Sequence, residues 1–123
     1  MKAIKITTDD AISVVDIQEP TLKGMQEQVG GNIEVVRPWA LTYLNVPGKE
    51  NLTMIVNEEG RCIGLPDNDI GSMLYNINDL DDDWEPIVGD ILIMAEGFVD
   101  GEPDIVGLDE KQVQALLVEL NKL

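Results

Sequence analysis

Histidine is absent from the 123 residues. That excludes imidazole acid–base catalysis, Ser–His and Cys–His nucleophile pairs, and histidine–zinc sites. Cysteine occurs once, as Cys62, so neither an intrachain disulfide nor a structural cysteine–zinc site can form. Aromatic residues make up 4% of the chain, and the core must therefore be built from Ile, Val, Leu and Met. No apolar run approaches the roughly 20 residues of a membrane span. Met1-Lys2-Ala3-Ile4-Lys5-Ile6 alternates in charge and lacks the continuous apolar stretch of a signal peptide. A cytoplasmic location is the expectation. There is no glycine-rich phosphate loop followed by lysine, and no cofactor is expected.

Basic residues are scarce: eight against 24 acids, for a net charge of −16 and a pI near 4.1. The imbalance is localised. Residues 1–57 carry seven acids and five bases, whereas residues 58–110 carry sixteen acids and a single base, Arg61. Such a surface repels phosphate, because affinity for nucleic acid comes largely from basic groups that release counterions. It repels anionic membranes for the same reason. It attracts basic partners, whether cations, basic peptides or the Lys/Arg-lined channels of nucleic-acid enzymes.

What is present reads as one α+β domain over residues 1–123. Lys2–Ile6 alternates with period two and pairs as a hairpin with residues 11–17. Leu22, Met25 and Val29 fall on one face of a short helix that Gly30-Gly31 ends. Ile33–Val36 reads as a strand, and Leu41–Leu44 as its successor. Leu52–Val56, the turn Asn57-Glu58-Glu59-Gly60 and Cys62–Leu65 read as a central hairpin, with Cys62 packed in its return strand and a positive φ available at Gly60. Ile70–Tyr75 reads as a helical turn with Met73 and Leu74 inward, and residues 76–85 as a loop. Ile87–Ala95 is the most apolar run and reads as a central strand buried on both faces. A hairpin tip follows at 97–104. Asp109 and Gln112 form a capping pair for a helix whose stripe is Val113, Leu116, Leu117 and Leu120. The expected architecture is a mostly antiparallel sheet with the short N-terminal helix and the amphipathic C-terminal helix on one face.

Chemistry is thin in this sequence. Carboxylates are too numerous for any pair to stand out as catalytic, so the expectation is a protein that is not an enzyme. Asp79, Asp81, Asp83 and Asp90 take the first, third, fifth and twelfth positions of a calcium loop, but Trp84 occupies the sixth, where the sharp turn needs glycine. No metal site is assigned. The candidate partner-binding residues are Asp79, Asp81, Asp82, Asp83, Trp84 and Glu85 in one cluster, with Glu96, Asp100, Glu102 and Asp104 in the second. Trp84 supplies an aromatic anchor amid the acids, while Trp39 reads as a packing residue. On a shared face the carboxylates would make one negative field and stand in for nucleic-acid phosphates. The alternative is a non-catalytic module for a basic peptide or a cation such as calcium.

Four stretches carry a family resemblance: Val29-Gly30-Gly31-Asn32-Ile33-Glu34-Val35-Val36; Val56 to Gly60 with Leu65-Pro66-Asp67-Asn68; Ile87 to Ile93; and Leu108-Asp109. The chain resembles a family of short domains of unknown function from Firmicutes, other gut bacteria, their phages and conjugative elements. That resemblance implies an α+β domain in a mobile-element setting and assigns no catalytic residue. The chain is also similar to anti-CRISPR proteins of the type II-A group, which implies the CRISPR nuclease Cas9 as its basic partner.

Overall fold

The computed structural model describes residues 1–76 and 85–123. Its elements in chain order are β1 (Lys2–Ile6), β2 (Ile12–Asp16), α1 (Thr21–Val29), β3 (Ile33–Val36), β4 (Leu52–Asn57), α2 (Asp69–Asn76), β5 (Ile91–Val99), β6 (Glu102–Val106) and α3 (Glu110–Leu120), with short 3-10 turns at Trp39–Tyr43 and Lys49–Asn51. The strands lie in the order β2-β1-β5-β4-β3, with β6 also on β5, and every pair is antiparallel.

β5 is central because its first half is apolar on both faces. Ile91, Ile93 and Ala95 point into one buried cluster, and Leu92 and Met94 into the other. Period-two alternation forces that division. The first cluster is covered by α2 through Ile70 and Leu74, and by α3 through Val113, Leu116 and Leu120. The second is covered by α1 through Met25 and Val29. The helices therefore occupy both faces, correcting the one-face expectation. A strand apolar on both sides needs a cover on each, since an exposed Leu92–Met94 face would forgo about 2 kcal/mol per side chain.

Other expectations are corrected by edge availability and by local turns. β4 pairs with β3 on one edge and with β5 on the other, so no edge is left for a return strand at 62–65. The turn at 57–60 does form, with Gly60 N–H donating to Asn57 C=O at 3.2 Å. The chain then continues through further turns to Gly64. Gly60 is not among the positive-φ glycines; it is needed because a Cβ there would stand 2.8 Å from Val88 Cγ2. Leu41–Leu44 is not a strand. Pro38 and the Thr42 hydroxyl, which donates to Trp39 C=O at 2.6 Å, hold Trp39–Tyr43 as a 3-10 turn. β5 starts at Ile91, and Val88 makes only an isolated bridge to Asp67. Leu22 and Met73 are exposed, and their helices bury neighbouring positions instead. The capping pair is present in both directions: Asp109 Oδ1 accepts from Gln112 N–H, and Gln112 Oε1 from Asp109 N–H.

One buried polar side chain ties these layers together. Asn68 is fully buried. Its Nδ2 donates to Ile6 C=O at 3.0 Å and to Gly89 C=O at 2.9 Å, while its Oδ1 accepts from Gly71 N–H at 2.9 Å. It thereby caps α2 while fastening that helix to the end of β1 and to the turn before β5. On the far side of the sheet end, Glu119 of α3 accepts from Asn45 N–H at 2.9 Å and pairs with Lys122. Those two contacts, the backbone hydrogen bond foremost, hold the Glu119 carboxyl below its ordinary range.

Asn68→Ala removes three hydrogen bonds at a site closed to water and is expected to lower unfolding free energy by about 2–4 kcal/mol. Asn68→Asp, which keeps the shape but loses the Nδ2 donors, is expected to be at least as damaging. Urea denaturation measures both, and a loss under about 1 kcal/mol for either would remove Asn68 from this role. For Glu119 the sign follows from its lowered value. Its contribution is present above the unfolded-state pKa of about 4.3 and disappears as pH falls through the folded-state value. Glu119→Gln should therefore melt below the parent at pH 7 and converge with it under acid conditions.

Candidate interaction surface

Five of the expected partner-binding residues, Asp79, Asp81, Asp82, Asp83 and Trp84, lie outside the described residues. The other five are placed. Glu85 is exposed and paired with Arg61, whose Nη2 also donates to Pro86 C=O at 3.2 Å. Glu96 pairs with Arg37, and the carboxylate raises that guanidinium above its already high ordinary pKa. Asp100 and Gly101 form the tip between β5 and β6, with φ of 52° and 81°. Consecutive positive φ values make the tight, strand-matched hairpin turn. Asp104 Oδ1 accepts from its neighbour Ile105 N–H at 2.8 Å.

These acids do not share one face. Glu96 stands opposite Ile105 and Phe98 opposite Pro103, whereas Glu102 stands opposite Val99 and Asp104 opposite Gly97. Directly opposed residues project to the same side and successive ones to opposite sides. Glu96 therefore projects to the α1 side, and Glu102 and Asp104 to the other. Glu85 is held by Arg61 in the turns after β4, at the end of the sheet where β5 begins. The Asp100 tip lies where β5 ends, about 26 Å away along the strand. The described acids thus stand in three places, Glu85 at one end of the sheet, Glu96 on the α1 side, and Asp100, Glu102 and Asp104 at the tip and on the other side, not in one patch; Glu85 and Glu96 each have an arginine partner.

Of the aromatic residues, Trp39 was misjudged in the sequence. Trp39, Tyr43, Tyr75 and Phe98 are all exposed, Phe98 by 77% and Trp39 by 71%. The described core is wholly non-aromatic, and Trp39 is a surface residue rather than a packing one. Phe98 to Asp104 is a run of seven consecutive exposed residues. Its signal was legible in part: the strand pattern loses its apolar alternation after Ala95 and runs into Asp100-Gly101. Cys62, expected inside a strand, is also exposed, because the strand that would have buried it has no edge to join.

Two concavities accompany these surfaces. A cavity of about 520 Å³ beside β3 is lined by Glu34, Glu58, Arg61, Cys62, Tyr75 and Glu85, among others. A smaller groove of about 290 Å³ lies between Val35, Arg37, Glu96 and the Pro103–Ile105 segment. Asp90, the twelfth position of the calcium-loop pattern, accepts from Thr8 N–H at 3.1 Å and lies 3.8 Å from Lys5 Nζ. Among the described residues no group of three or more His, Cys, Asp or Glu is arranged to hold a metal ion.

The stretches that carry the family resemblance are largely spent on structure. Asn57 Nδ2 donates to Val29 C=O at 3.2 Å and its Oδ1 accepts from Glu59 N–H at 2.9 Å. Gly31 lacks a side chain where a Cβ would lie 2.9 Å from Asn57 Nδ2. Asn68 is occupied as described above. Fold and surface together define an antiparallel α+β protein whose distinguishing property is exposed negative charge. The chain belongs to the DUF3846 family, a domain of unknown function, which it matches over residues 1–121. No curated protein and no solved structure matches it. Among the described residues no helix is long and apolar enough to cross a membrane.

Because Cys62 is exposed, the native protein should release one equivalent of thionitrobenzoate from DTNB without denaturant, at a rate within about tenfold of the unfolded chain. A thiol that reacts only after unfolding would show that the 58–64 turns are packed closed.

Proposed function

We propose that this protein is a non-catalytic inhibitor from a phage or other mobile element, and that it binds the basic groove of a nucleic-acid-handling nuclease. The CRISPR nuclease Cas9 in a bacterial cytoplasm is the first target to test. The observation that carries the proposal is the segregation of charge: sixteen acids against one base over residues 58–110. Every acid described in that stretch lies at least partly exposed. The described carboxylates there lie outside both hydrophobic clusters, and the repulsion among them is a standing cost that a basic groove would relieve. The similarity to type II-A anti-CRISPR proteins supplies the choice of Cas9. Carboxylates in such a groove would occupy the positions of nucleic-acid phosphates.

A second reading rests on the cavity beside β3. Glu34, Glu58 and Glu85 outnumber Arg61 in its lining, which suits the side chain of a basic peptide. Under that reading the protein binds short Lys/Arg peptides and leaves nucleases unaffected.

The test is a DNA-cleavage assay over a panel of Cas nucleases, with association kinetics at two salt concentrations. Two charge reversals separate the acid groups: Asp81, Asp82 and Asp83 to Lys, and Asp100, Glu102 and Asp104 to Lys. Each is expected to slow association by about tenfold or more at low salt, with less effect at high salt. If no nuclease is inhibited, or if both triple variants inhibit as the parent does, the proposal fails.

A further inference from the structure

Beyond Ala95 the sheet narrows to two strands. β4 pairs with β5 only from Leu52, opposite Ala95, to Ile55, opposite Leu92, and β1 pairs with β5 only at Ile91–Ile93. Residues 96–99 and 102–105 pair with each other. Four residue steps of antiparallel ribbon extend about 13 Å, and the exposure of all seven residues from Phe98 to Asp104 marks that ribbon as a finger standing clear of the body.

The finger has two unlike sides. Phe98 and Pro103 are directly opposed and project to one side, while Glu102 and Asp104 project to the other, with Asp100 at the tip. At its base Glu96 is tied to Arg37, and two residues beyond Arg37 stands Trp39, itself strongly exposed. A phenylalanine that keeps 77% exposure on a two-stranded ribbon leaves most of its apolar surface in water until a partner covers it.

We infer that this finger is the element that enters the partner's groove, with Phe98 and Trp39 as apolar anchors and Asp100, Glu102 and Asp104 as the contacts to its lysines and arginines. The inference rests on the proposed basic-groove reading and adds to it where and how the protein docks. Charge complementarity selects the occupant: acids on one side and at the tip exclude a nucleic acid or an anionic membrane and require a basic wall. The apolar side requires, in addition, a floor into which an aromatic ring can sink. A ribbon reaching into a groove touches both walls at once, which suits its two unlike sides better than flat apposition. In this division of labour the acids govern the rate of encounter and the aromatics the lifetime of the complex.

The experiment is surface-immobilised Cas9 with the parent protein, Phe98→Ser, Trp39→Ser and the Asp100/Glu102/Asp104-to-Lys variant. Circular dichroism melting serves as the check that each variant is folded. The two aromatic variants should dissociate at least tenfold faster while associating within about twofold of the parent. The charge variant should instead associate more slowly. If the parent binds and both aromatic variants dissociate as it does, the nuclease reading survives and the finger inference is overturned.

If the parent does not bind Cas9, the same proteins are titrated against two labelled 12-residue peptides, one alternating Arg and Leu, the other Arg and Ser. Binding of the Arg/Leu peptide by the parent, lost in Phe98→Ser, keeps the finger as a docking element without that nuclease. Equal binding of the two peptides, binding of the Arg/Leu peptide that Phe98→Ser retains, or no binding of either, overturns it.

Discussion

A single amide holds this architecture in register. Asn68 is closed to water, and its side chain reaches three backbone segments at once: the end of β1, the Gly89 turn and the first turn of α2. Its backbone adds two more bonds, donating to Ile87 C=O and accepting from Ser72 N–H. Ser72 in turn shares hydrogen bonds with both backbone groups of Ile87. The segment that leads into β5 is thus fastened to α2 by polar contacts rather than by strand pairing. That matters because β5 is the strand on which both cores are built. A partly satisfied network at this position would cost more than an apolar one; a fully satisfied one defines a unique arrangement.

Charge and stability are kept apart by the same construction. Among the described residues the buried polar ones are Thr53, Asn57, Asn68 and Ser72, all uncharged. Each described ion pair sits at the surface, and pairs of that kind contribute at most about 1 kcal/mol. Lys2–Asp16 couples the two strands of the first hairpin, and the lysine holds the Asp16 carboxyl below its ordinary value. The hydrophobic clusters carry the fold, and the acids lie outside them, with Asp109 capping α3 and Glu119 holding Asn45. A protein built this way can carry a charge of −16 with none of its described carboxylates inside a hydrophobic cluster, which leaves most of them open to recognition.

The sequence was most informative where one periodicity dominated. α3 was legible because Val113, Leu116 and Leu120 recur at helical spacing behind the Asp109 and Gln112 cap; β5 was legible as an unbroken apolar run. The errors share a cause. Whether residues 62–65 could pair depended on which strands already occupied the edges of β4, a long-range fact that no local pattern carries. Trp39 and Cys62 were judged by the usual habits of their residue types, but each lies in a turn, and both are exposed. The acid clusters could be counted in the sequence but not oriented. Only the register of β5 against β6 shows that Glu96 faces one way and Glu102 and Asp104 the other.

The stretches that carry the family resemblance have a specific physical role here. Asn68 has both Nδ2 hydrogens committed, Asn57 has its amide bridging Val29 and Glu59, and Gly31 is small because Asn57 lies against it. Side chains whose bonding capacity is consumed internally have little left to offer a ligand. The stretches that define the resemblance therefore specify the scaffold. Groups that the scaffold leaves unused are the ones open to a partner, and on the described surface the most exposed of these are the aromatics and the Asp100–Asp104 tip. Scaffold and surface are separable because Phe98 to Asp104 bear on neither core: those residues can be exchanged for others without disturbing the contacts that Asn68 and β5 organise, provided Gly101 keeps its positive φ.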